Sequence, residues 1–578
     1  MHQHFIQIVI SMPKIYLSLF SAIMLLQPAV PCFAGKIEVV GAKQTTITFA
    51  IIQEFRPLDG TQRAQFYIAD PDHFTSPAWK QRILARNRTF SPLPSRQTLN
   101  RDYRGNQIVS AIWEGPTSKI IVKSTYHVQI NLNLKPFTSR ANFPLLRHLK
   151  RDIRAYLVPT VLVQSTERKI RELATSLAAN ETRQSVVVEN VLTWVVDRLT
   201  YQPEPSAVDA LSAFKNKRGN CQSYAHLAAA LLRAVGIPTR IVNGVVAGSG
   251  DRVRMGAQNN LDLRKARGRY SWIEIYFPDL GWIPADPMNS AFFVGSDFLR
   301  LEVGLDAEEA KMDGLVQWEN VDQSAGVAFF RETISIGKTV ENGRLVGRVA
   351  TRLPQNIFLQ PVLEKGNGLR KKPLIRRQRK SRNFVLKKVR DKLVFGNVTH
   401  PEDQSFERAR NTKRSGTGQF ELRKNMLSRT AENVTGGRLQ SQLFVMPQAL
   451  RLEKIDLLLQ LVGGSGALWL NLHSDRNGRP GEVFLRSTVM NYPRIASAAE
   501  FNWVSFVFHE NKRVLPAGTY WMSLGYSGAP VVDWFFVYGK PLGPFYGTRH
   551  KDSADTNWST FTNSEFNYRV VGALIPGR

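Results

Sequence analysis

The chain has 578 residues, 43% of them hydrophobic, which excludes both a single small domain and a disordered chain. Its 77 Lys and Arg stand against 47 Asp and Glu, for a formal net charge of +30. Such a field excludes indifference to polyanions and leaves nucleic acid, anionic lipid and acidic polysaccharide as partner classes.

Met12-Pro13-Lys14 precedes the apolar run from Ile15 to Leu26, and Cys32-Phe33-Ala34 forms a small-residue end before Gly35. This order predicts a secretory signal over residues 1–34, with Met12 as an alternative start and a buried helix as the competing reading. The run is too short to span a bilayer comfortably, and no other stretch is apolar enough. The expected location is secreted, periplasmic or cell-envelope. Only two cysteines occur, and Cys32 would leave with the signal. Cys221 would then be the single thiol of a chain without an internal disulfide.

Residues 35–160 hold short alternating runs (TTITFAI, AQFYI, QIVSAIW, KIIVKSTYHVQI) between Pro, Gly and Asn clusters, the pattern of an antiparallel β-sandwich. Apolar spacing of three and four predicts helices over Glu167–Ala179 and Val186–Leu199. In Arg218-Gly219-Asn220-Cys221, Gly219 lets the chain turn. Ala225, Leu227, Ala228, Leu231, Leu232 and Val235 then recur at helical spacing until Gly236-Ile237-Pro238. Cys221 therefore falls in a first helical turn, where free N–H groups and the helix dipole favour a thiolate. It is a candidate nucleophile; the bland alternative is an inert buried cysteine. Thr239–Val246 predicts a strand, and the basic, glycine-rich stretch 247–269 an exposed loop beside the site.

G-x-C-x-x-Y-A followed by L-L-R-A-x-G-I-P-x-R resembles the nucleophile helix of the transglutaminase-like superfamily, the papain-related cysteine fold, in its bacterial secreted type. Tyr270-Ser271-Trp272-Ile273-Glu274 and Gly281-Trp282-Ile283-Pro284-Ala285-Asp286-Pro287 match the two strand motifs that follow in that family. The resemblance implies a core over 161–315 in which Cys221 attacks an amide carbonyl with its own N–H in the oxyanion hole. A histidine oriented by Asp286 would take the proton. It implies a substrate-binding side drawn from Arg218, Trp272, Glu274 and Trp282, and acyl transfer to water or an amine. One landmark departs from the family: Tyr270 stands where its histidine belongs, and no histidine occurs between His226 and His400. A phenol is a poor base at neutral pH. His226, five residues along the helix, is turned about 140° from Cys221.

Residues 316–364 read as a β-rich tail of the core and 365–430 as a basic linker, with thirteen Lys or Arg and one acid between Lys365 and Lys392. Residues 431–578 alternate again, similar to the jelly-roll appendages of secreted bacterial proteins. There Trp534, Tyr538, Tyr546 and Trp558 either face sugar rings or fill a core. The expected fold class is α+β multidomain: an N-terminal β-sandwich, a papain-like transglutaminase core and a C-terminal β-sandwich or jelly roll. No metal-ligand spacing or phosphate loop occurs, so neither metal nor cofactor is expected. Two functions follow from different classes. One is a cysteine-dependent amide hydrolase (peptidase or amidase) or acyltransferase of altered mechanism, using Cys221, Tyr270 and Asp286 on a peptide or protein amide. The other is a catalytically inactive scaffold that binds peptide or anionic envelope polysaccharide. A nucleic-acid binder driven by charge ranks third, because only Phe384 interleaves the basic run.

Overall fold

A computed structural model describes residues 34–145, 149–202, 205–257, 259–263, 267–289, 291–320, 328–353, 358–363, 387–389, 392–398, 410–414, 417–421, 431–435, 437–492, 502–508, 514–538 and 542–575. The signal reading and the most basic part of 365–430 lie outside these residues. The chain is mostly β-strand with few helices.

The N-terminal strands are β1 (Ala34–Arg56), β2 (Thr61–Asp70), β3 (Trp79–Ser91), β4 (Gln107–Glu114) and β5 (Ile120–Leu134). Alternate residues of β1, among them Ile37, Val39, Ile47 and Phe49, are buried, as a half-covered strand requires. The helices α1 (Arg168–Ala178), α2 (Gln184–Arg198), α3 (Ala210–Asn216) and α4 (Cys221–Ala234) come next. Then follow β6 (Thr239–Val246), β7 (Asp251–Met255), β8 (Asn259–Leu263), β9 (Gly268–Phe277), β10 (Gly281–Ala285), β11 (Phe298–Gly304), β12 (Leu315–Asn320) and β13 (Phe329–Leu353).

The strands after the core go back to the beginning of the chain. β13 pairs with β1 from Ala34↔Leu353 to Arg56↔Phe329, and β12 pairs with β2. The segment 316–364, expected as a tail of the core, therefore completes the N-terminal sheets instead. Its apolar side chains are the reason: Val316, Trp318 and Phe330 close one buried cluster with Phe55, Phe66 and Trp113. Even the expected linker supplies strands, since Thr417–Glu421 pairs with β12 and Lys392–Phe395 pairs with the last strand of the chain.

The core sheet is antiparallel in the order β10-β9-β6-β11, and α4 lies against β6 and β9 with the other helices around it. Every residue of α4 from Cys221 to Arg233 is buried, the polar Gln222, Ser223, His226 and Arg233 among them. Asn220 caps it, its side-chain oxygen accepting from the N–H groups of Gln222 (3.1 Å) and Ser223 (3.3 Å). Gly219 is required for a reason other than turning. A Cβ there would stand 2.1 Å from Ser223 Cβ, so the strand Arg218–Gly219 passes directly over the first turn. Gly244 is similarly constrained, because a Cβ would meet the Leu299 carbonyl at 2.1 Å and the Trp272 ring at 2.6 Å. Gly244→Ala is expected to cost about 3 kcal/mol through overpacking, read as a lower urea midpoint at unchanged slope. An unchanged midpoint would mean that the backbone there yields freely.

Among its described residues, the basic stretch 247–269 is not simply an exposed loop. Within it β7 and β8 form a hairpin with Val253, Leu261 and Leu263 buried. β7 pairs in parallel with β13, and β8 pairs in parallel with Thr560–Thr562 near the C-terminus. The hairpin thus joins N-terminal and C-terminal strands into one continuous sheet. The C-terminal strands also pack around Trp534, which is fully buried, and Trp558 is buried too. Neither offers a face to a sugar ring; Tyr546 is partly exposed, and the Tyr538 side chain lies outside the described residues.

Candidate active site

Cys221 opens α4, which packs on the two inner strands of the core sheet. The backbone N–H groups of Ser271, Gln222 and Cys221 itself face its sulfur and favour the thiolate, as a helix start should. Burial outweighs them. It pushes the thiol up to about 12, and the nearby Asp286 carboxylate adds to the rise. The magnitudes agree with that order, since a helix terminus contributes about 0.3–1 kcal/mol while full burial shifts a group by up to about 3–5 pK units. Arg218, expected on the substrate-binding side, is exposed on the strand that precedes the helix.

Register brings the other two landmarks together. Tyr270 pairs with Gly244 on β6, and Asp286 follows the end of β10, whose Ala285 pairs with Ile273. The Tyr270 hydroxyl donates to Asp286 Oδ1 at 2.9 Å. Asn289 Nδ2 donates to the Tyr270 oxygen at 2.9 Å and to Asp286 Oδ2 at 2.7 Å, and its backbone N–H reaches Asp286 Oδ1 at 3.2 Å. All three side chains are buried, and Phe298 meets the Tyr270 ring edge-on at 5.6 Å. Tyr270 therefore takes the hydrogen bond from which Asp286 would orient an imidazole. A phenol that keeps its own proton at neutral pH is a poor acceptor for a proton from a thiol. Asn289 was not anticipated; its only sequence signal is an Asn three residues beyond Asp286.

Three expected substrate contacts have structural partners. Glu274 is fully buried between two guanidiniums, Arg240 at 2.6 Å and Arg300 at 2.8 Å. Trp282 is half-buried under Arg240 (4.1 Å from ring centre) and between Tyr156 and Tyr276. Trp272 is fully buried against Phe298, and its indole N–H has no acceptor among the described residues. His226 is committed elsewhere, with Nδ1 on the Val208 carbonyl (2.8 Å) and Nε2 accepting from Ala307 N–H (3.2 Å), and burial holds the ring neutral by lowering its pKa. Among the described residues no group of three or more His, Cys, Asp or Glu is arranged to hold a metal ion.

Residues 171–287, which contain Cys221, Tyr270 and Asp286, match the model of the transglutaminase-like superfamily. The chain is 27% identical over 149 residues to the uncharacterized protein YebA of Bacillus subtilis, covering 24% of this chain and 20% of that protein. It is 31% identical over 90 residues to a protein-glutamine gamma-glutamyltransferase of Pseudomonas aeruginosa, covering 15% of this chain and 13% of that protein. The chain thus spans a fifth or less of the length of these two relatives. Among solved structures, the periplasmic domain of TgpA from Pseudomonas aeruginosa aligns at 18% identity with a TM-score of 0.21, covering 41% of this chain and 89% of that one. With its helix opening at Cys221, its two strand motifs and this family match, residues 171–287 of the chain form a transglutaminase-like domain.

Proposed function

We propose that this transglutaminase-like protein recognises peptide or protein amides at the Cys221 cleft without efficient turnover. One observation carries the reading: the Tyr270 hydroxyl is bonded to Asp286 and Asn289 where the family places its base. The high thiol pKa supports it, since a group titrating near 12 is ionised in about one molecule in 10⁵ at pH 7. The protein acts outside the cytoplasm, exported by residues 1–34, with an anionic envelope polymer as a partner for its positive charge. Among the described residues no helix is long and apolar enough to cross a membrane. Its β-strands before and after the core are read as two sandwiches that hold the cleft.

The test is release of ammonia and incorporation of a primary amine from a panel of glutamine peptides and amides, with Cys221→Ala as control. The expected result is no turnover above the control, with peptide binding retained in both. Turnover that disappears in Cys221→Ala would overturn the reading.

The N–H groups facing the sulfur favour a second reading, slow acyl transfer. In that reaction Sγ adds to the amide carbonyl, its proton passes to solvent, the amine leaves protonated by water, and water hydrolyses the thioester. A mass increase on Cys221 after incubation with a glutamine peptide would reveal the thioester.

A further inference from the structure

A cleft of about 510 Å³ opens where the β7–β8 hairpin meets the C-terminal strands, and it uses none of the residues of the Cys221 site. Asn259, Gly478, Phe545, Tyr546, Arg549 and Phe561 are among its walls. Arg549 is almost fully buried, yet among the described residues its hydrogen bonds go to neutral oxygens: the Gly478 carbonyl (2.8 Å), the Trp558 carbonyl (3.1 Å) and Asn259 Oδ1 (3.2 Å). Arg479 donates to the same Asn259 oxygen at 3.1 Å. Two guanidiniums therefore converge on one amide oxygen, and among the described residues neither is paired with a carboxylate. Burial and the Arg479 charge lower the Arg549 pKa to about 10, so the pair is electrostatically uncomfortable as it stands. Asp475, the nearby acid, offsets part of this through its charge but makes its hydrogen bonds to the Trp521 indole N–H (2.7 Å) and the Gly478 N–H (3.3 Å).

Buried cations are normally paired, and an arginine fork matches the paired oxygens of a carboxylate or a phosphate. The adjoining Phe545 and Tyr546 rings are partly exposed and perpendicular to one another, a surface suited to a flat apolar sugar face. Gly478 belongs to the same wall, since a Cβ there would press on the Tyr546 ring at 2.9 Å. We propose that this cleft binds a carboxylated sugar, with the carboxylate between Arg549 and Arg479 and the ring against Tyr546. The site gives the net charge of +30 a specific point of engagement with an acidic polysaccharide.

The test uses the full chain and titration calorimetry with an oligogalacturonate, its methyl ester, inorganic phosphate and an oligoaspartate peptide. The expected result is binding of the oligogalacturonate, with the ester at least tenfold weaker and phosphate and peptide failing to displace it. Equal binding of the ester would overturn the proposal. Equal binding of the peptide would overturn its sugar part, and displacement by phosphate at equal concentration would reduce the site to a simple anion trap. Asn259→Asp places a carboxylate of the chain itself between the guanidiniums. It is expected to lower oligogalacturonate affinity at least tenfold and to raise the thermal midpoint of the free protein. Arg479→Gln, at a half-buried position, is expected to lose affinity at least tenfold without that rise. Unchanged affinity in both variants would overturn the proposal.

Discussion

Glu274→Ala is expected to lower the unfolding free energy by about 3–5 kcal/mol, the largest stability loss of any single substitution in the core. Its carboxylate is fully buried between Arg240 and Arg300, and its removal leaves two buried like charges facing each other. Glu274→Gln keeps the volume but not the charge and should fall between the two. Burial alone would raise the Glu274 pKa, but the two guanidiniums outweigh it and hold the carboxyl below its ordinary value. A depressed folded pKa means that this stabilisation is fully present above the unfolded value of about 4.3 and is lost as pH falls through the lower folded one. The gap between wild type and Glu274→Ala in urea should therefore narrow below about pH 4. A gap of under 1 kcal/mol at pH 7 would show that the site is more hydrated than its burial implies. A loss this large would also identify the E of the strand motif as a structural residue rather than a substrate contact.

Tyr270→His should raise the rate of Cys221 alkylation at pH 7 by at least about 100-fold. In the wild type the thiol titrates near 12, so its rate with iodoacetamide should still be climbing tenfold per pH unit at pH 10. An imidazole is smaller than the phenol it replaces, and Asp286 and Asn289 are already in place to hold one ring nitrogen. The other nitrogen would then form the thiolate–imidazolium pair that brings such cysteines to about 3.5–7.5. The rate profile should therefore level off below pH 8. Labelling followed by peptide mass mapping assigns the reaction to Cys221, and unfolded protein gives the reference at about 8.5. Identical profiles for the two proteins would mean that closure of the cleft, not the missing base, silences the thiol.

The parts of this site that were legible in the sequence are local. Asn220 as cap, the apolar spacing of α4 and the stop at Gly236-Ile237-Pro238 all act within a few residues, so composition and spacing place Cys221 at a helix start. The state of its thiol was not legible, because burial by the surrounding strands decides against the helix dipole. The ion pairing of Glu274 was not legible for a related reason. Its partners Arg240 and Arg300 lie 34 and 26 residues away, and only sheet register brings them to it. The hairpin was missed although its signal was present, since DRVRM and NNLDL both alternate with period two. Charge and glycine content spoke for a loop, and burial of Val253 and Leu261 against other strands settled the matter.

The pairing of β1 with β13 also sets an order of events in synthesis. Ala34 meets Leu353 in the finished sheet, so β1 leaves the ribosome long before its partner exists. At about 5–20 residues per second that interval is roughly 15–60 s, during which the whole core is made. The helices and the Cys221 sheet hence have the chance to fold while the first strand still has a bare edge. A bare 23-residue edge is an aggregation hazard for that time. This architecture therefore favours a chain kept unfolded until β13 is available, and it makes any truncation before Phe329 remove the partner of the first strand along its whole length.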